Sequence, residues 1–445
     1  MVACGIVARR NETASGASST ALEPPTIAAA SASRVPREQG WARTAWRYFE
    51  NNLDYDTGLA GGADLGSVFT TWNAADMIAA IVCAHDLGII AAREFDQRLS
   101  RVLGFLGEMD LSNGWLPNKA YGSRSGKMVL FDGREGDTGW SAVDIGRLLL
   151  WLEIVARRHP RFAEFTDRIA LRWNFCSVFD DCGGLQGSTR DDARLVTYQE
   201  GRLGYEQLAG EGFAMWDFDA RASRDVPLTQ LARVDGLPLH YDARDPRTTN
   251  APAPVATMPF ALVGIELGWA GRDALRNIAN EVHAVQQQRW RRDGLVTARS
   301  DYQMREAPYV VLDSVYASGY AWNTIAADGK EYPKLALVST RAAFALWALW
   351  PGDYTEAAID SVRWLHDADR GWFEGRYEAG GRPLSHITAS TNAAVLEALC
   401  FRATGVLCPT QPRSSSYWRA QLQDAFARRN QCLPNERKAC ARTQG

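Results

Sequence analysis

Thr71-Trp72-Asn73-Ala74-Ala75 opens a stretch that stays apolar nearly all round to Leu87, and openings like it return three times down the chain. Gly139-Trp140-Ser141-Ala142, Ser339-Thr340-Arg341-Ala342-Ala343 and Ser390-Thr391-Asn392-Ala393-Ala394 each set a Ser, Thr or Asn among small residues. Those side chains satisfy the free N–H groups of a helix start, and Ala lets neighbouring helices approach closely. Apolar residues then recur at three- and four-residue spacing. Each such helix is followed by an amphipathic one: 74–87 by 94–106, 141–155 by 161–173, 258–269 by 273–290, and 340–350 by 354–366. Helices apolar all round belong inside and amphipathic ones outside, so the alternation describes two concentric layers.

The segments after the outer helices also match. Asn113-Gly114-Trp115-Leu116, Gly183-Gly184-Leu185-Gln186, Asp293-Gly294-Leu295-Val296 and Arg370-Gly371-Trp372-Phe373 read as a turn entering a short strand. Trp72 and Trp140 stand 68 positions apart, Thr340 and Thr391 51 apart. Repeats of that length over about 400 foldable residues give roughly six units. The expected fold is therefore all-α, an (α/α)6 toroid of six helical hairpins with short β-hairpins at the active-site face. Less obvious inner helices fall at 201–215 and 258–269, and either 37–50 or 416–427 closes the outer ring. An open α-solenoid also uses helical pairs, but with short uniform loops. Here long Gly-, Asp- and aromatic-rich loops precede the inner helices, which favours a closed ring with a site at one mouth.

Composition narrows the function. Of 445 residues, 49 are Lys or Arg and 52 Asp or Glu, for a net charge of −3. No basic excess is available to track a phosphate backbone, so nucleic acid is not an expected partner. Mean hydropathy is −0.26, and no apolar run reaches the roughly 18 residues of a membrane span. Against 6 His there are 16 Trp, 14 Tyr and 16 Phe. Met1-Val2-Ala3-Cys4-Gly5 resembles the tail of a lipoprotein processing site, and 11–33 has the Ala, Ser, Thr and Pro content of a tether. Residues 1–36 are read as a lipid anchor through Cys4 with its tether, 37–408 as the toroid, and 409–445 as a helix and Cys-containing tail. Incidental Cys4 on a soluble protein is the competing reading. Cys176 and Cys182 flank a turn and are expected to pair, with Cys432 and Cys440 together in the tail. Cys83 reads as a buried small hydrophobe. An exported monomer, periplasmic or lipid-anchored in the cell envelope, is the expectation.

If the inner helices run parallel, their N-termini and preceding loops converge. Asp64, Asp132, Glu135, Tyr198, Asp301, Glu306, Asn323 and Glu374 gather there with the candidate substrate contacts. Those candidates are Trp72, Asn73, Asp76, Trp140, Asp144, Arg202, Tyr205, Tyr309, Trp322, Trp372 and Tyr377. Aromatic faces stack on sugar C–H faces while carboxyl groups polarise a glycosidic oxygen, so the partner is an oligo- or polysaccharide. Any single ring at helical spacing is more often a core residue. Glu200, in Tyr198-Gln199-Glu200-Gly201-Arg202, is the candidate general acid; the competing role is a helix-start carboxylate or an Arg202 partner. Asp137 and Asp313 are the candidate bases, against the plain reading of loop carboxylates. Asp144 and Arg147, one turn apart, read as a salt-bridged pair. No metal or cofactor motif is present. Lyase chemistry through His386, Tyr377 and Arg376 is a weaker enzyme reading. A binding or assembly protein keeping the cleft without a working acid pair is the reading from another class.

Several stretches resemble a bacterial family catalogued as domain of unknown function 3131. They are Trp72 to Gly88, ending His85-Asp86-Leu87-Gly88; Gly139 to Leu149; and Gln199 to Phe218. Tyr241-Asp242-Ala243-Arg244-Asp245-Pro246-Arg247, Ala307-Pro308-Tyr309 and Gly371 to Tyr377 complete the set, which spans about residues 40 to 405. That family is similar to glucoamylase-like six-hairpin glycosidases, including enzymes acting on β-1,2-glucans. The resemblance implies the toroid independently of the repeat, and implies no catalytic pair.

Overall fold

The computed structural model describes residues 36–191, 194–244, 251–413, 416–424 and 429–437. Cys4, the 11–33 tether, Cys440 and Asp245-Pro246-Arg247 lie outside the described residues. The described helices run α1 (Pro36–Asn52), α2 (Thr71–Asp86), α3 (Ala92–Glu108), α4 (Ala142–Arg158), α5 (Ala163–Ala170), α6 (Tyr205–Ala214) and α7 (Arg221–Arg224). They continue as α8 (Thr257–Leu262), α9 (Asp273–Asp293), α10 (Thr340–Leu349), α11 (Asp353–Val362), α12 (Ala389–Thr404) and α13 (Tyr417–Gln423). Six of them, α2, α4, α6, α8, α10 and α12, pack each on the next, and α12 packs back on α2. That return contact closes the ring and excludes the open solenoid. Outside it, α3, α5, α7, α9 and α11 each lie on the inner helix before them, and α1 lies on α12. The outer ring thus closes through α1, and α13 packs on α5 instead.

The inner starts are capped as their sequences suggest. Thr70 and Asn73 form a reciprocal box, Thr70 Oγ1 accepting from the Asn73 N–H at 3.2 Å and Asn73 Oδ1 from the Thr70 N–H at 3.1 Å. Ser141 accepts from the Asp144 N–H, Ser339 from that of Ala342 and Thr388 from that of Thr391. The third inner helix begins only at Tyr205, because Gly204 takes a left-handed φ of 100° just before it. The fourth is short and continues as a π turn, Val263–Leu267, which carries Glu266. Contact between α4 and α6 depends on glycine. A Cβ on Gly212 would lie 1.9 Å from the Gly146 carbonyl oxygen, and one on Gly146 2.6 Å from that of Ala209.

Short strands run into several inner helices and so decorate the mouth. Val68–Thr70 leads directly into α2, Leu337–Ser339 into α10, and Pro383–Ile387 toward α12. The Gln186–Asp191 and Arg194–Gln199 hairpin precedes α6. Three of the four expected turn-to-strand segments form ladders. The fourth does not: Gly294 supplies the left-handed cap of α9, and the chain after it runs to Tyr302 without a ladder partner.

The expected Cys176–Cys182 pairing is corrected. Cys176 is bonded to Cys432, 256 positions away, and Cys182 is disulfide-bonded elsewhere. The turn between Cys176 and Cys182 is already closed by Asp180, whose Oδ1 accepts from the Cys182 and Gly184 N–H groups. The tail segment then docks beside Cys176, with the Phe175 N–H donating to the Gln431 carbonyl at 2.8 Å.

Candidate active site

The ring axis is filled by one guanidinium. Arg147 on α4 reaches Asp76 at 2.5 Å, Glu266 at 2.9 Å and Glu397 at 2.9 Å, drawn from three other inner helices or their extensions, and all four side chains are buried. Trp151 donates to Glu266 at 2.9 Å and Ser390 to Asp76 at 2.6 Å. One cation cannot neutralise three buried carboxylates, and burial with neighbouring Glu266 holds Glu397 well above the usual carboxylate range. The pairing expected between Asp144 and Arg147 is corrected for the same reason: Arg147 points to the axis, where three carboxylates attract it, rather than along its own helix.

Above this plug lies a cavity of about 240 Å³. Its walls take Trp72 from α2, Asp144 from α4, Tyr205 from α6, Arg341 from α10 and Ser390 from α12, with Asp301, Tyr302, Glu374 and Thr388 from the strands and loops. Five inner helices bring their first turns to one place, which establishes their parallel course. The Arg147 guanidinium sits 4.4 Å from the Trp72 ring centre, and Trp72 meets Tyr205 edge to face at 5.4 Å.

One wall carries Asp144, and Glu200 lies behind it, outside the lining, against the start of α4. Glu200 Oε2 accepts from the Ala142 N–H at 2.5 Å and the Val143 N–H at 3.4 Å, a carboxylate at a helix N-terminus. Gly187 allows this, since a Cβ there would lie 2.7 Å from that oxygen. Burial raises the Glu200 pKa, while Lys119, Ser141 and the two N–H groups oppose the rise. Asp144 has less help: burial first and the Glu200 charge second push it up to about 7. Lys119, its own pKa lowered by burial, donates to Tyr198 at 3.1 Å. The Glu200 charge thus helps to hold a proton on Asp144 toward neutral pH, as a general acid requires.

Across the cavity, Asp301 accepts from Tyr205 Oη and Ser300 Oγ, each at 3.0 Å, and pairs with Arg341 at 2.9 Å. Glu374 accepts from Thr388 and Thr391, and burial raises its pKa. Its Oε2 is buried without a hydrogen-bond partner.

The other sequence candidates fall in different places. Asp137 is held by Arg190 at 2.6 Å, Ser112 at 2.7 Å and two backbone N–H groups, and its pKa is lowered despite burial. Asp313 is fully buried with Arg299, Thr324 and the Leu337 N–H; burial pushes it up to about 6. Neither lines the cavity. Asn73 lines it, donating to Asp76 at 3.2 Å. Trp140 and Trp372 are core residues whose indole N–H groups donate to Gln186 and Trp41 carbonyls. Trp322 lies under the Arg289 guanidinium at 4.5 Å. Arg202 donates to Gln199 at 2.8 Å rather than pairing with Glu200. Tyr377 packs with Tyr302, Val311 and Leu337, and Tyr309 is exposed on a left-handed residue after a cis Ala307–Pro308 bond. Lys119 and Arg341 were not among the sequence candidates. Arg341 carries a signal, as the charged residue in a helix start whose counterparts carry Trp or Asn.

The fold is shared with solved glycoside hydrolase structures. Endo-β-1,2-glucanase from Chitinophaga pinensis, in complex with sophorotriose and glucose, superposes with a TM-score of 0.56 at 13% identity, covering 83% of this chain and 93% of that one. An endo-β-1,2-glucanase mutant from Talaromyces funiculosus, in complex with β-1,2-glucan, gives 0.58 at 10% identity, with 84% of each chain covered. A candidate glucoamylase from Bacteroides caccae gives 0.57 at 14% identity, over 83% of this chain and 94% of that one. No sequence among the curated proteins matches this chain. Residues 40–405 match the family described as protein of unknown function (DUF3131), and since that is most of the 445 residues, the chain belongs to the DUF3131 family.

Proposed function

We propose that this protein is a glycoside hydrolase acting on a bacterial glucan or exopolysaccharide at the mouth of the toroid. The observation that carries the reading is Asp144 in the cavity lining, its pKa pushed up to about 7 by burial and by the charge of Glu200 behind it. Asp144 delivers its proton to the leaving glycosidic oxygen as the C1–O bond breaks. Asp301, a carboxylate in the lining, takes a proton from the water that attacks C1, while the Glu200 charge behind Asp144 keeps the acid protonated until it is used. The acid role that the sequence suggested for Glu200 thus passes to Asp144. Arg341, Asp301 and the Trp72 and Tyr205 rings supply polar and apolar surface for sugar hydroxyls and C–H faces. The toroid is taken to span 37–408, with 409–445 as its fastened tail. Export to the cell envelope fits the Cys176–Cys432 disulfide, since such bonds persist in oxidising compartments.

The test is a panel of bacterial β-glucans and exopolysaccharides incubated with the protein and assayed for new reducing ends. Release from one of them is the expected result. Binding without release would assign the cleft to a non-catalytic glycan-binding role.

A further inference from the structure

We propose that a second cavity beside the mouth is a subsite for an anionic group, a carboxylate or a phosphate, carried on the glycan; it rests on the glycan reading above. The cavity encloses about 830 Å³. It is continuous with the active site through shared chain. Gln303 and Val310 line the first cavity while Met304 to Ala307 line the second, and the strand that gives Glu374 to the first gives Tyr377 to the second. A third segment gives Thr388 to the first and Ser385 and His386 to the second. A polymer lying across the mouth would place a neighbouring sugar there.

Its chemistry differs from the first cavity. Arg305, Lys334 and Arg382 border it, are exposed, and form no ion pair among the described residues. Arg370 is paired with Asp64. The opposing charges are Glu306 and Glu331, and Glu331 already accepts from Asn323 at 3.3 Å. Of its two tyrosine rings, Tyr377 is buried and covered by the Arg382 guanidinium at 4.8 Å, and Tyr332 is half-buried with the Lys330 ammonium 5.4 Å from its centre. His386, 9% exposed in the lining, has its Nδ1 without a hydrogen-bond partner. A planar guanidinium fork and an ammonium match carboxylate or phosphate oxygens, while a neutral hydroxyl needs no concentration of cations. Three cations without ion-pair partners among the described residues, around one concavity that adjoins the proposed sugar site, therefore point to an acidic substituent or an acidic sugar.

Calorimetric titration separates the possibilities. The probes are a β-1,2-linked gluco-oligosaccharide, the same oligosaccharide carboxymethylated, and the same phosphorylated, each titrated into wild type and the Arg305→Ala/Lys334→Ala/Arg382→Ala variant. Wild type should bind the charged probes about tenfold more tightly than the neutral one. The gain should shrink at about 0.15 M salt, where exposed charges are screened beyond about 8 Å. The variant should lose the gain yet bind the neutral probe as wild type does. A larger gain for one charged probe identifies the group. Equal binding of neutral and charged probes by wild type overturns the subsite while leaving the glycan reading intact, as does a gain that survives in the variant. No binding of any probe overturns the subsite on a β-1,2-linked glucan, and the glycan reading then stands or falls with the polysaccharide panel.

Discussion

Asp144, in the first turn of α4, holds the proton on which the proposed chemistry turns. Its position one turn before Arg147 suggested a local salt bridge, yet burial and the Glu200 charge push it up to about 7. The raised value has a consequence for stability. Between pH about 4 and 7 the native state keeps a proton that the unfolded chain has released, so ionising Asp144 weakens the fold as pH rises across that window. Asp144→Asn removes the ionisation. The variant should therefore melt above wild type at pH 8, with the difference vanishing toward pH 4, as read from melting temperatures across that range. An equal difference at every pH would show that Asp144 titrates in the ordinary carboxylate range. Asp144 was legible as a mouth residue because it sits in the first turn of an inner helix, and Glu200 because it lies in the loop that leads to one. Their roles were not, because these depend on Lys119 and on the helix that donates to Glu200, both brought in from elsewhere in the chain. Arg147 illustrates the same limit: its partners Asp76, Glu266 and Glu397 lie far away in sequence.

At the scale of elements, the inner helices could be read from their caps and small residues, and Thr70, Ser141, Ser339 and Thr388 do cap them. Legibility failed where a local signal yields to contact with a neighbour. The third helix loses its first turn to the Gly204 kink, and its outer partner shrinks to the four residues of α7. The α4–α6 seam yields a direct test. Gly212→Ala forces a methyl group onto the Gly146 carbonyl and should destabilise the protein by about 1–3 kcal/mol or more in chemical denaturation. Gly104→Ala, in α3 with nothing within 4 Å of the added carbon, should be neutral or slightly stabilising. If both variants unfold alike, the seam is not set by glycine.

On the scale of the whole molecule, closure is achieved twice. Helix α1 completes the outer ring against α12, and a disulfide between Cys176 and Cys432 fastens the tail to the third repeat. A bond spanning 256 positions restricts the unfolded chain strongly, so Cys432→Ser should cost about 2–4 kcal/mol. Peptide mapping without reduction should recover Cys176 linked to Cys432; free thiols there would contradict both the bond and the argument for export. Ring order was legible from the repeat, whereas this long-range pairing was not, because neighbouring cysteines in sequence need not meet in space. Closing the ring brings five helix starts around one polar cavity, where we propose that glycosidic bonds are hydrolysed with Asp144 as the acid. The most direct measurement is reducing-end release from a responsive glucan by wild type and Asp144→Asn, with glycan affinity measured on both. The account predicts release by wild type, a fall of about 10²–10⁴-fold in the variant, and affinity retained. Glycan binding by wild type without any release, or wild-type turnover by Asp144→Asn, would contradict it.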